Sequence, residues 1–356
     1  MLIRISGVRS GGELLAHTTV LKLRGEQHRG LKPLPGVNLV AGLTGSGKTL
    51  LAEALWLGVA HALGALLDDE RFHNAPALAA RAYGIRPIDM KAEICLSDVE
   101  VPGLRREACI EAEISEGAES WVAVPEEAAG NDELRRSLVY ALLHVISVPD
   151  RVKWRVAHAL RELHRSGLLK LAAAEDVPRE LCLAAAALVP PVGAGRAYSP
   201  CYMRVLGIQE RRELELESER VGGELRFDTV VSHGELSRAM FEAAYEFAAK
   251  LSKLAREEHG VSAVPIVYVD DAFEGLDAAK IRSLLSRDYD ASIYAATHRL
   301  EAGAYSARNL LMTYGTKASR LIEQPHDFRF ALVDEELVEE DEEVFEDVSS
   351  KLVGRA

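Results

Sequence analysis

Eight consecutive residues, Gly42-Leu-Thr44-Gly45-Ser46-Gly47-Lys48-Thr49, carry the densest chemistry in the chain. Glycines at the first, fourth and sixth positions let main-chain N–H groups converge on one point, and a helix starting behind them adds its N-terminal donors. Such a loop suits an anion with several oxygens. Lys48 can extend to the outer phosphates of a polyphosphate, the Thr49 hydroxyl can ligate a hard divalent cation such as Mg²⁺, and Leu50 carries the turn into the helix. The pattern GxxxxGK[ST], set between an apolar strand and a helix, is read as a phosphate-binding loop.

A second set of acids follows an apolar run, Pro265-Ile-Val-Tyr-Val-Asp270-Asp271. A buried parallel strand ending in a carboxylate places Asp270 to hold the cation, and Asp271 can orient or deprotonate an attacking water. Three weaker elements surround this strand in order: Val231-Ser232-His233-Gly234-Glu235 at the start of a long helix, Gly275-Leu276-Asp277, and Thr297-His298 at the end of the next strand. A Ser-x-Gly-Glu turn at a helix N-terminus presents a hydroxyl and N–H groups to an anion.

These groups need elements to hold them. Residues 2–6, 19–23 and 37–41 read as strands, and residues 50–67, almost free of polar side chains, as a buried helix. Period-two alternation over 88–125 predicts an antiparallel β-lobe. Helical periodicity then covers 132–148, 150–166 and 177–188, broken at Pro149, Gly167 and Pro190–Pro191. Strands return at 212–217 and 224–231, joined through Gly222–Gly223 as a hairpin. A helix over 235–258 and strands at 264–269, 292–296, 310–314, 320–323 and 328–333 complete the order. The expected division is 1–130, with the phosphate-binding loop and the β-lobe; 131–205, a helical insertion; 206–333, with the acidic pair and the elements around it; and 334–356, an acidic tail.

Composition narrows the classes. Hydrophobic residues make up 48% of the 356, a globular profile. No apolar stretch reads as a membrane span, since that over 181–192 is short and interrupted by Pro190–Pro191. The N-terminal residues read as a strand and not as a signal peptide, so a cytoplasmic location is expected. Four cysteines without a CxxC pair argue against a local zinc site and a disulfide framework, and predict buried free thiols. The net charge of −13 is concentrated in residues 334–347, which hold ten acids and no bases, leaving the rest close to neutral. Acid-rich segments of this kind usually stay solvated.

Taken together, the motifs resemble the ATPase heads of the RecF, SbcC and SMC group of ABC ATPases. The run Gly36-Val-Asn-Leu-Val-Ala-Gly-Leu-Thr-Gly-Ser-Gly-Lys-Thr is similar to the opening of those heads. Val269-Asp-Asp-Ala-Phe-Glu-Gly-Leu-Asp277 is especially similar to RecF, and His298 to the SbcC and SMC heads. The likeness covers residues 1–60 and 225–300. It implies an α/β P-loop NTPase fold, an ABC-ATPase-like head with an antiparallel β-lobe and a short helical insertion. It also implies that Lys48, Thr49 and Asp270 bind ATP and Mg²⁺ and that Asp271 is the catalytic carboxylate. Ser232 and Gly234 would contact the nucleotide of a second copy, Asp277 would line the dimer interface, and His298 would reach the γ-phosphate.

The chain departs from that group in three ways. Only about sixty residues stand where SbcC and SMC proteins carry long coiled coils, with no sustained heptads. No glutamine lies between Thr49 and Gln209, so the Q-loop residue has no counterpart, and a group within 147–150 is the substitute considered. Asp271 is one methylene shorter than glutamate, which predicts slow hydrolysis. The insertion offers eight bases, Arg135, Arg136, Arg151, Lys153, Arg155, Arg161, Arg165 and Lys170, against four acids. They form either a surface for nucleic-acid phosphates or a solvated face paired with neighbouring acids. The resemblance implies an ATP-bound homodimer that engages DNA in repair, recombination or chromosome organisation. The alternative is an ATP-driven switch controlling a separate partner protein such as a nuclease, without DNA binding of its own. A membrane-transporter subunit is disfavoured by the missing Q-loop glutamine.

Overall fold

The alternating and continuous apolar runs condense into two sheets with one helix between them. The computed structural model describes residues 1–10, 13–18, 20–23, 26–41, 48–67, 89–104, 108–115, 120–150, 233–297 and 309–313. Its N-terminal strands are β1 (Leu2–Ser10), β2 (Glu13–Thr18), β3 (Val20–Leu23), β4 (Glu26–Arg29) and β5 (Gly36–Ala41), followed by helix α1 (Lys48–Leu67). Strands β6 (Asp89–Cys95), β7 (Cys109–Ile114) and β8 (Trp121–Ala123) come next, then helix α2 (Asp132–Leu142) and strand β9 (Val145–Val148). The C-terminal part holds helix α3 (His233–His259), β10 (Ile266–Val269), α4 (Ala278–Leu285), β11 (Ser292–Thr297) and β12 (Asn309–Thr313).

One sheet is antiparallel throughout, in the order β2-β1-β6-β7-β8. The expected lobe over 88–125 is there, widened by β1 and β2. The other sheet runs β4-β3-β12-β5-β11-β10-β9. Its strands from β12 to β9 are parallel, and β3 and β4 extend it antiparallel. Strands buried on both faces read as unbroken apolar runs, and β9, β10 and β11 are buried at every position.

Helix α1 is apolar on all sides because it packs between the sheets, against β9 on one side and β1, β6 and β7 on the other. Among the described residues it is the one helix long and apolar enough to cross a membrane, and it is mostly buried in this core. Leu55, Trp56 and Leu63 are almost wholly inaccessible, each contributing about 1.5–3 kcal/mol by burial. Gly58 permits the approach to β6, since a Cβ there would fall 2.6 Å from that of Ala92. At its C-terminus the carbonyls of Ala65 and Leu66 accept from the Arg135 guanidinium at 3.0 and 3.1 Å.

Two expectations are corrected. The helix predicted over 132–148 ends at Leu142, and Val145-Ile-Ser-Val148 is a strand, β9, paired in parallel with β10. Three of its four residues are β-branched and all four are buried beside β10, so tertiary pairing overrides the helical period. His144 marks the break, its Nδ1 lying 2.8 Å from the Tyr140 carbonyl. The thiols expected to be free are not so at Cys95 and Cys109, which face each other across β6 and β7 and form a disulfide with Cα atoms 3.9 Å apart. Strand register brings them together, which spacing along the chain does not reveal. The predicted helix over 150–166 beyond its first residue, the helix over 177–188, the strands at 212–217, 224–231, 320–323 and 328–333, and the acidic tail lie outside the described residues.

Candidate functional site

The parallel strands β5, β11, β10 and β9 all end on one edge of the sheet, where α/β proteins place ligands. Ala41, last in β5, pairs with Thr297, last in β11. The loop residues Gly42, Thr44, Gly45, Ser46 and Gly47 lie outside the described residues. The motif re-enters at Lys48 and Thr49, which open α1 beside this edge, while Leu50 is partly buried against the core.

Lys48 is only 8% exposed. Burial lowers its pKa, opposed by the nearby charges of Asp270 and Asp271. Asp270, directly after β10, is 1% exposed, and burial pushes its carboxyl up to about 6. Two donors work against that shift: the Thr49 hydroxyl, and the Asp150 N–H at 3.2 Å from Oδ2. Thr49 and Asp270, from opposite ends of the sequence, thus share a hydrogen bond in a site built from oxygen donors. A buried carboxyl strained toward protonation beside a hydroxyl fits a hard divalent cation, whose charge would reverse the shift.

Asp271 has φ of 47°, in the left-handed region that aspartate tolerates better than most residues. The main chain fixes it from both sides, with Asp270 N–H donating to the Val148 carbonyl at 3.0 Å and Ala272 N–H to that of Ala296 at 2.9 Å. The carboxylates of Asp150, Asp271 and Glu274 bring one oxygen each within 4.8 Å of one another. Glu274 was not singled out by sequence. Asp150 lay in the stretch considered for the Q-loop substitute, and it reaches the site because β9 is a strand. Ser147, from the same stretch, points elsewhere: its hydroxyl donates to the Ala52 carbonyl of α1 at 2.8 Å.

The turn after Asp271 packs on the start of α3. Gly234 is buried there, and a Cβ on it would fall 2.3 Å from the Gly275 carbonyl oxygen, so only glycine allows this approach. Phe241 and Phe273 extend the contact with ring centroids 6.1 Å apart. Asp277 caps α4, its side chain accepting from the Lys280 N–H at 2.8 Å, and it remains largely exposed. Thr297 is buried at the end of β11. Ser232 and His298 lie outside the described residues, as do Arg151, Lys153, Arg155, Arg161, Arg165 and Lys170. Of the two described bases in that set, Arg135 bonds the end of α1, and Arg136 is exposed.

The structure thus brings together Lys48, Thr49, Asp270 and Asp271, with Gly234 and Asp277 flanking the following turn. Sequence reasoning also missed Tyr268, whose phenol donates to the Lys48 carbonyl at 3.1 Å. In a strand of Ile, Val and Val, a tyrosine carries no signal beyond core packing.

No family model and no curated protein matches the chain. Among solved structures it is similar to an SMC head bound to the C-terminal winged-helix domain of ScpA, at 13% identity over 89% of this chain and 98% of that one, with a TM-score of 0.40. It is also similar to the recombination mediator RecF of the RecFOR pathway in two forms. The form with ATPrS matches at 12% identity over 87% of this chain and 99% of that one, TM-score 0.33. The form with ATP matches at 12% identity over 83% and 92%, TM-score 0.29. None of these TM-scores reaches 0.5, so the functional reading stands on the site's own residues.

Proposed function

We propose that this chain binds ATP with Mg²⁺ and hydrolyses it slowly, two copies closing on the nucleotide to complete the site. The observation that carries the reading is the meeting of Lys48 and Thr49 with Asp270 and Asp271 at the C-terminal edge of a parallel sheet, behind a complete GxxxxGK[ST] loop. In this reading Lys48 binds the outer phosphates, and Thr49 and Asp270 hold the cation. When bound, that ion neutralises charge on the phosphate oxygens. Asp271 orients the attacking water and takes its proton. Ser232 and Gly234 of one copy contact the nucleotide of the other, Asp277 lines the interface between the copies, and His298 contacts the γ-phosphate.

The motifs' resemblance to RecF and SMC heads extends the proposal to ATP-gated engagement of DNA in repair, recombination or chromosome organisation, through the bases between Arg136 and Lys170. One observation favours the second reading, an ATP switch acting on a separate protein effector: Arg135 serves the end of α1 and not an open surface. Steady-state ATPase activity with and without single- and double-stranded DNA separates the two. Stimulation by DNA that weakens with salt supports DNA engagement. ATP turnover indifferent to DNA supports the switch, and no turnover at all contradicts both.

A further inference from the structure

The central strands of the large sheet carry a row of polar side chains that the proposed chemistry does not use. Ser147 of β9 is in register with Tyr268 of β10, Tyr268 with Tyr294 of β11, and Tyr294 with Asn38 of β5. All four are buried. A buried polar group is costly unless bonded, so each must have a partner. Tyr294 donates to the Lys32 carbonyl at 2.6 Å, and the Asn38 amide donates to the Leu34 carbonyl at 2.7 Å. Both fasten the segment leading into β5.

The other two members reach α1. The Tyr268 hydroxyl donates to the carbonyl of Lys48 at 3.1 Å, and the Ser147 hydroxyl to that of Ala52 at 2.8 Å. Lys48 and Ala52 are four residues apart, so the carbonyls lie one above the other on a single helix face. A carbonyl has two lone pairs and accepts these bonds in addition to its place in the helix ladder. Two hydroxyls on neighbouring strands therefore grip consecutive turns at the N-terminal end of α1, the end that carries the phosphate-loop lysine. Thr49 supplies a further link from the same turn to Asp270.

We infer that Tyr268, assisted by Ser147, is a positioning residue for Lys48: it fixes the first turn of α1 to the strand bearing Asp270, so that the ammonium and the acidic pair are held at set separation. This rests on the proposed ATPase reading. Tyr268 touches neither phosphate nor water in this scheme. Its effect passes through the backbone of Lys48, and misplacing a reacting group by a fraction of an ångström lowers the rate more than the affinity.

The test is Tyr268→Phe, which keeps the ring and removes the hydroxyl, with Ser147→Ala and the double variant, all in the full chain. Steady-state ATPase kinetics are joined to hydrogen exchange of the amides at residues 49–53 in nucleotide-free protein. The expected result is a kcat about tenfold lower in Tyr268→Phe, KM for ATP within threefold of the parent, faster exchange in the first turn of α1, and less than additive loss in the double variant. Parental kcat or parental exchange in Tyr268→Phe overturns the inference. A parent chain with no ATP turnover contradicts the ATPase reading instead, and exchange alone then decides whether the hydroxyl grip exists.

Discussion

Asp270 and Asp271 stand next to each other in sequence and in opposite circumstances. The first is sealed in the sheet with its carboxyl pushed up to about 6, and the second sits on a left-handed turn at the sheet edge. In the proposed chemistry the pair divides labour between a cation ligand and a group that handles water. Asp271→Asn is therefore expected to lower ATP turnover at least a hundredfold while leaving ATP affinity within a few-fold, checked by steady-state kinetics and nucleotide titration. Gly234→Ala places a methyl against the Gly275 carbonyl, so the α3 start or the turn must move. The expected cost is about 1–3 kcal/mol in denaturant unfolding, typical of overpacking. A variant as stable as the parent would show that this contact gives way freely. At this scale the sequence was legible wherever chemistry is encoded in a short run: Lys48, Thr49, Asp270 and Asp271 were named from spacing alone. Tyr268 and Glu274 were not, because a hydroxyl meeting a carbonyl 220 residues away leaves no local pattern.

Among the elements, the strands of the core were readable from apolar runs and the long helix α3 from its period, whereas β9 was read as helix. Four residues with a helix directly ahead of them offer too little length for periodicity to decide, and the pairing with β10 decides instead. That misreading hid the route by which Asp150 reaches the site. The β-lobe shows the same limit. Its alternation was plain, but the Cys95–Cys109 bridge follows from cross-strand register. Closing a loop of 14 residues constrains the unfolded chain by about 3 kcal/mol, so reduction is expected to lower unfolding stability by that order. In a reducing compartment the two residues stand as facing thiols and this contribution is missing. An unfolding midpoint indifferent to reductant would contradict the bridge. Arg135, one of eight bases that sequence assigns either to a phosphate-contacting surface or to a solvated face, bonds the last carbonyls of α1, where a cation is favoured by the helix dipole. Arg135→Ala should therefore destabilise the fold by about 1–2 kcal/mol, a change that denaturant unfolding detects.

For the whole molecule, the α1 core couples pH to stability. Burial holds the His61 imidazole down at about 4, below its ordinary 6.5. The unfolded chain then binds a proton that the folded chain refuses, so this contribution is full above pH 6.5 and is lost as pH falls toward 4. By linkage it amounts to on the order of 2–3 kcal/mol. Asp270 acts in the opposite sense, its raised pKa favouring the folded state as pH falls through 6. Comparing unfolding of the parent and His61→Leu between pH 7 and 4.5 isolates the histidine: the variant should lose less stability on acidification, and parallel profiles would contradict the assignment. The central claim concerns the proposed association, in which Ser232 and Gly234 would contact a nucleotide held by another copy and Asp277 would line the interface. It is tested most directly by measuring the solution mass of the Asp271→Asn chain with Mg²⁺ and either ATP or ADP. The expected result is a doubling of mass with ATP and a monomer with ADP. A monomer that has bound ATP and stays single would contradict it.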